Sequence, residues 1–200
     1  RVQSEIIVSV DSDVIVDPAA LRYLMVGFTA PDIAAVGGRV HVINCHENWL
    51  TKMQTIKYFM GYQYLKNLED AFSSVMCLSG CLTAYRRYVL LELEPILLKR
   101  SLFSIPIKYG EDRFLTRQIV KHGYKTRLNL KAECYTKAPS QLSAYFAQQL
   151  RWRRSNIVDF LGGLTHVWQL NFFVAMHYFS MQCTIIAYPL YLWMVFISGG

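Results

Sequence analysis

A chain of 200 residues suits one ordinary domain, although a hydrophobic share of 53% is high for a soluble one. The formal charge of +7 gathers in Arg86-Arg87, Lys99-Arg100 and Arg151-Trp152-Arg153-Arg154, not in one strip interleaved with Tyr and Phe, which argues against a nucleic-acid partner. Five cysteines (Cys45, Cys77, Cys81, Cys134, Cys183) are odd in number and contain no CxxC pair, so neither a disulfide framework nor a structural zinc is indicated, and reduced thiols in a cytosolic compartment are expected.

Glu5 to Val10 is a β-branched run that ends at Asp11, and Pro18 followed by Ala19-Ala20-Leu21 opens a helical pattern, giving strand, acidic turn, helix. Ala34 to Ile43 reads as a second strand, in which Gly37-Gly38 marks a bulge or a close backbone approach. Between Glu47 and Phe72, apolar residues at Leu50, Met53, Ile56, Phe59 or Met60, Tyr64 and Leu68 keep helical spacing. Val75 to Leu78 leads into Ser79-Gly80-Cys81, Leu82 to Tyr85 continues as strand, and Arg87 to Leu98 is a helix. After Gly110, Glu111 to His122 forms another helix that Gly123 is placed to end. Thr126 to Leu130 is a weak strand, and Pro139 opens a long segment through Trp152. Strands alternating with helices predict an α/β domain with a largely parallel sheet and a ligand beyond the carboxyl ends of its strands, where Asp11 lies.

The C-terminal end differs in character. From Phe160 to Gly200 there is no Asp, Glu, Lys or Arg, and residues 172–197 predict a transmembrane helix that His177, Gln182 and Pro189 weaken. The basic cluster at Arg151 to Arg154 lies just before it, which favours anionic headgroups as a contact and the cytoplasm for the preceding domain. Residues 1–158 therefore read as a cytosolic domain, and 159–200 as an interfacial segment and a membrane helix. The absence of an initial Met and the stop at Gly199-Gly200 suit a piece of a longer protein.

Three clusters carry chemistry. Asp11 and Asp13, one residue apart after an apolar strand, can both reach a Mg²⁺ or Mn²⁺ that also takes diphosphate oxygens; a solvated strand-end turn uses the same residues. Asp112 of Gly110-Glu111-Asp112-Arg113 sits in a first helical turn, as a general base or simply as an acidic residue favoured by the helix dipole. In Gln148-Gln149-Leu150-Arg151-Trp152, a permanent guanidinium charge can clamp diphosphate while the indole stacks on a sugar; a membrane-interface belt has the same composition. Ser79-Gly80-Cys81 is a turn in which glycine lets backbone approach a ligand.

In chain order, with Ser79-Gly80-Cys81 falling between the first two of these clusters, the four segments resemble the processive family 2 glycosyltransferases: chitin, hyaluronan, chito-oligosaccharide and cellulose synthases. Asp11-Ser12-Asp13 looks like the family's DxD, Ser79-Gly80-Cys81 like its acceptor loop, Glu111-Asp112-Arg113 like its (E/D)DR, and Gln148 with Arg151-Trp152 like its QxxRW. The resemblance implies a GT-A fold, a UDP-sugar donor, Mg²⁺ or Mn²⁺, inversion at the anomeric carbon and a growing β-linked polysaccharide acceptor at a membrane. It further implies Asp13 as the more direct metal ligand and Asp11 as second ligand or donor contact. Asp112 is then the base, Gln148 and Arg151 hold the diphosphate, and Ser79, Gly80, Cys81, Glu111 and Trp152 hold the acceptor. Cys77 to Cys81 and Asn48-Trp49-Leu50-Thr51 with Gln54 are similar to chitin synthases, whereas QQLRW and Arg153-Arg154-Ser155 look more like hyaluronan and chito-oligosaccharide synthases. UDP-N-acetylglucosamine, common to these enzymes, is the expected donor, with chitin ahead of hyaluronan as product. A catalytically inactive nucleotide-binding membrane protein is the non-enzyme alternative. The family's uridine-binding region would precede Arg1, so the 200 residues by themselves are expected to be inactive.

Overall fold

The computed structural model describes residues 3–99, 101–102, 105–106, 110–164 and 167–198. Arg100 of the second basic pair, and Gly199-Gly200, lie outside the described residues. Strands β1 (Ile6–Ser9), β2 (Val14–Val16), β3 (Ile33–Val42), β4 (Thr83–Arg86) and β7 (Lys125–Thr136) form one sheet in the order β1-β4-β3-β7-β2, and β5 (Ser101–Leu102) pairs with β6 (Ile105–Pro106). The helices are α1 (Ala20–Val26), α2 (Trp49–Met60), α3 (Asn67–Ala71), α4 (Arg87–Leu98), α5 (Glu111–Lys121), α6 (Leu142–Gly163) and α7 (Phe172–Ser198), with a π-helical stretch at Gly61–Lys66 joining α2 to α3.

The sheet is not largely parallel. Only β3 and β7 are parallel neighbours; β4 is antiparallel to β1 and β3, and β2 is antiparallel to β7, so β1, β3 and β7 run one way and β2 and β4 the other. The alternation rule assumes that each helix returns the chain to the start of its strand. Here, after α3, the chain runs extended through Ser74 to Leu78, bridging Ser74 in parallel to Thr126, and so reaches the opposite end before β4 begins.

Two glycines bend the sheet. The β3/β7 register slips between Gly37 and Arg39, as the Gly-Gly pair predicts, and a β-carbon on Gly38 would stand 2.5 Å from the Ala132 carbonyl oxygen. Five flat strands span roughly 19 Å between their edges. Only residues 10–13 connect β1 at one edge to β2 at the other, and part of that link is a tight turn, so the sheet curls until its edges approach. The acidic turn is thereby held across the mouth of the curled sheet. The core behind it contains Leu24, Val36, Leu78, Leu82, Leu93 and Ile119, each fully buried and contributing about 1.5–3 kcal/mol by transfer from water.

The helix at 47–72 forms in three segments. Its start is a capping box, Asn48 Oδ1 accepting the Thr51 amide and Thr51 Oγ1 accepting the Asn48 amide, both at 3.0 Å. The buried face is partly polar, with Leu50, Thr51, Gln54 and Tyr62, while Met53, Ile56, Met60, Tyr64 and Leu68 are exposed. Helix α5 ends where expected, with Gly123 at φ +83°. The strand expected at 126–130 extends to Thr136, and all the described cysteines are free.

The C-terminal helix requires a correction. Helix α7 is present, yet among the described residues no helix is long and apolar enough to cross a membrane. Its first turns are committed to protein contacts, with Val174 and Tyr178 buried in a small cluster with Met76 and Val167, and His177 Nε2 lies 3.6 Å from Glu69 Oε1. The side chains of Gln182 and Pro189 lie outside the described residues.

Candidate active site

The acidic turn closes by a hydrogen bond from the Val14 amide to the Asp11 carbonyl oxygen at 3.2 Å, leaving Asp11, Ser12 and Asp13 exposed. Neither aspartate forms an ion pair among the described residues. Against this turn lies the Ser79-Gly80-Cys81 loop. Thr83 Oγ1 donates to the Ser79 carbonyl oxygen at 2.7 Å, and the Cys81 amide donates to Ser79 Oγ at 3.3 Å, fixing the loop at the head of β4. A β-carbon on Gly80 would lie 3.0 Å from Asp11 Oδ1 and 3.4 Å from Oδ2, so the carboxylate fills the space that a side chain would need. Burial pushes the Cys81 thiol up to about 11, and the Asp11 and Asp13 carboxylates add to that shift. Cys81 is a protonated neighbour of the acidic turn.

Asp112 enters from α5. Gly110 precedes the helix at φ +69°, the left-handed region that suits glycine, and swings the chain so that the first turn carries Glu111 and Asp112. Asp112 Oδ1 accepts the Arg113 amide at 2.7 Å, and Thr116 Oγ1 donates to the Asp112 carbonyl oxygen at 2.7 Å. The Leu78 amide in turn donates to Thr116 Oγ1 at 3.2 Å, which ties this helix to the strand end that carries Ser79. Burial raises the phenol of Tyr85 on β4 above the usual range, and the Asp112 and Asp11 carboxylates both push in the same direction.

Helix α6 brings the third cluster. The Tyr58 and Trp152 rings meet edge to face with centroids 6.5 Å apart, and Lys57 Nζ lies 5.5 Å from the Trp152 ring centroid while donating to Gln149 Oε1 at 2.6 Å. Burial raises the Tyr58 phenol above its usual range, with Cys81, Tyr62 and Asp13 adding to the rise. Gln148 Oε1 is buried without a hydrogen-bond partner among the described residues, an acceptor left open at the head of this cluster. Arg151 and Glu111 are exposed and enter none of these contacts.

Asp11 thus meets the Gly80 loop directly, the helix of Asp112 is tied to the residue before Ser79, and Trp152 packs on Tyr58. Tyr58 and Tyr85 escaped the sequence reading. Thr51, Gln54, Tyr58 and Tyr62 follow one another at steps of three and four, a polar and aromatic face opposite the apolar stripe, and that was the available signal. A separate groove of about 300 Å³, lined by Leu68, Phe72, Phe173, Met176, His177 and Ser180, lies between α3 and α7 and includes none of these residues.

The donor set suits a hard divalent cation in part. Among the described residues no group of three or more His, Cys, Asp and Glu side chains could hold a metal ion. Two exposed, unpaired carboxylates on one turn, however, match an ion that keeps water or phosphate oxygens in its remaining positions, as Mg²⁺ and Mn²⁺ do.

A mannosyltransferase from Pyrobaculum calidifontis, solved in complex with GDP-Man and Mn²⁺, shares the mixed α/β fold with a TM-score of 0.53 at 18% identity, over 80% of this chain and 39% of that one. Human hyaluronan synthase 3 and Gallus gallus hyaluronan synthase 2 are each 28% identical over 152 residues, 76% of this chain. The chain spans only 28% of the length of either synthase. The family model described as chitin synthase matches residues 2–195, nearly the whole chain. The chain therefore belongs to the chitin synthase family, among the family 2 glycosyltransferases.

Proposed function

We propose that this chain forms the catalytic heart of a membrane-associated polysaccharide synthase that transfers N-acetylglucosamine from UDP-N-acetylglucosamine to a growing β-linked chain. The observation that carries the reading is the abutment of Asp11 on Gly80, which puts a carboxylate turn suited to a metal-diphosphate against a glycine loop suited to a sugar acceptor. Asp13 and Asp11 would hold a Mg²⁺ or Mn²⁺ ion, whose chemistry is to neutralise the charge that grows on the departing diphosphate. Asp112 takes the proton from the acceptor hydroxyl as its oxygen attacks the anomeric carbon from the face opposite the diphosphate. The new C–O bond forms as the bond to the diphosphate oxygen breaks, and the configuration inverts. Arg151 and Gln148 steady the diphosphate; the open Gln148 Oε1 can accept from a donor hydroxyl. Trp152, backed by Tyr58, forms a platform under the acceptor sugar, with Ser79, Gly80, Cys81 and Glu111 around it.

Membrane attachment, with the domain on the cytoplasmic side, rests on Arg151, Arg153 and Arg154 beside exposed Phe146, Leu150, Ile157 and Leu161 on α6, and on the charge-free sequence from Phe160 onward. A hyaluronan synthase-like polymerase that also uses UDP-glucuronate is the second reading, favoured by the 28% identity to hyaluronan synthase 3.

The test feeds membranes containing the full-length protein with radiolabelled UDP-N-acetylglucosamine, with and without UDP-glucuronate and with and without a chelator, and digests the product. A chelator-sensitive, chitinase-digestible polymer made from the single donor is the expected result. Hyaluronidase-sensitive product that needs both donors transfers the assignment to the second reading, and no transfer from any UDP-sugar overturns both.

A further inference from the structure

A buried ion pair that takes no part in the chemistry proposed above joins the two helices that carry that chemistry. Arg117 Nε on α5 and Asp159 Oδ1 on α6 stand 2.7 Å apart, with only 7% and 4% of their side chains exposed. Three neighbours accommodate the pair. A β-carbon on Gly162 would lie 2.5 Å from Arg117 Nη1 and 2.7 Å from Nη2, so the turn of α6 after Asp159 has to be bare for the guanidinium to lie there. Arg117 also covers the Phe114 ring, 5.2 Å from its centroid, and Tyr178 Oη on α7 donates to the Asp159 carbonyl oxygen at 3.4 Å.

Position decides what the pair does. Gln148, Trp152, Ser155 and Asp159 follow at steps of four, three and four, which is a single stripe along α6, so Asp159 lies under the residues assigned to donor and acceptor. On the other side, Arg117 lies about one and a half turns beyond Asp112 on the short helix α5. Stability is a weak reason to bury such a pair, because desolvation of both charges consumes most of the attraction and apolar residues of similar volume often replace it without loss. What apolar residues do not reproduce is position: a guanidinium seated over the bare Gly162 and held 2.7 Å from a buried carboxylate restricts the rotation and rise of one helix against the other.

We propose that Arg117 and Asp159 are positioning residues that lock the Asp112 helix in register with the Gln148–Trp152 stripe, so that base and acceptor platform meet the same sugar. The inference rests on the transferase reading above. Neither side chain touches substrate, so the pair acts on the transfer step through Asp112 and Trp152 and leaves donor binding to the acidic turn.

The experiment compares the full-length enzyme with Asp159→Asn and with the paired variant Arg117→Met/Asp159→Leu, measuring thermal stability, KM for UDP-N-acetylglucosamine, and polymer formed per donor-binding site. Asp159→Asn strands a buried guanidinium and is expected to lose stability. The paired variant removes both charges and is expected to regain it. Even so, its turnover should stay down by about tenfold to a hundredfold, with donor KM within about threefold of wild type, as expected for a small misplacement of reacting groups. Recovery of turnover together with stability in the paired variant would show a merely structural pair and overturn the proposal, as would a KM that rises in step with the fall in turnover. Wild-type enzyme without transferase activity would instead bring down the underlying reading, so the two failures are told apart.

Discussion

A β-carbon on Gly80 would lie 3.0 Å from Asp11 Oδ1, so the acidic turn and the Ser79–Cys81 loop touch with no room for a side chain between them. Gly80 is not in the left-handed region, and alanine there carries no backbone penalty. The cost is local: the Asp11 carboxylate must turn away. Gly80→Ala is expected to melt within a few degrees of wild type yet to need more Mn²⁺ for half-maximal activity and to lose about tenfold or more in turnover, as for a misplaced charge-stabilising group. A metal titration of transferase activity measures this, and an unchanged curve would separate Asp11 from the metal.

Asp112→Asn keeps the side-chain oxygen that caps the Arg113 amide, so α5 is expected to retain its start. What it loses is the carboxylate proposed as the proton acceptor. Polymer formation should fall by at least about a hundredfold while UDP binding changes little. Calorimetric UDP titration beside a product assay separates the two, and near-normal turnover would remove Asp112 from the role of base.

Trp152→Ala removes one ring of the Tyr58–Trp152 pair and, with it, the platform assigned to the acceptor. UDP-sugar hydrolysis needs no acceptor sugar, so it should survive better than polymer synthesis, the ratio of the two shifting by roughly two- to tenfold. An equal loss of both activities would make Trp152 a packing residue alone.

The local elements were largely legible from the sequence, because caps, glycines and periodicity are local signals. Asn48 with Thr51 opens α2, Gly110 and Gly123 bracket α5, and Gly37-Gly38 produces the slip in β3. Strand direction was not legible, since it depends on whether the segment from Ser74 to Leu78 runs back along the sheet before β4, a tertiary choice that leaves no periodic trace. The site divides in the same way. Asp11, Asp112 and Trp152 belong to short motifs visible in one dimension, whereas Tyr58, Tyr85 and the Arg117–Asp159 pair matter only through what the fold sets beside them. A long apolar stretch was also ambiguous: the residues that fix α7 to the domain, Val174 and Tyr178, are as apolar as those that a bilayer would take.

Glu69 offers a test by pH. Its carboxylate accepts the Met76 amide at 3.1 Å between α3 and α7, and Lys66, Arg113 and His177 are the charged or titratable groups around it. Burial pushes the carboxyl up to about 7 from its ordinary 4.5, against the opposing pull of the Met76 amide, Lys66 and Arg113. For an acid whose folded-state value is raised, the stabilisation from holding the proton is complete below about 4.5 and is lost as the pH rises through about 7. Glu69→Gln stays neutral throughout and still presents an oxygen to the Met76 amide. The melting temperature of the wild type should therefore fall relative to that of Glu69→Gln between pH 5 and pH 8, by roughly 3–6 °C across that window. The same comparison in a His177→Gln background keeps the imidazole's own titration out of the difference. Parallel melting curves across the range would mean that Glu69 is ionised in the folded protein at every pH tested, with Lys66 and Arg113 outweighing its burial.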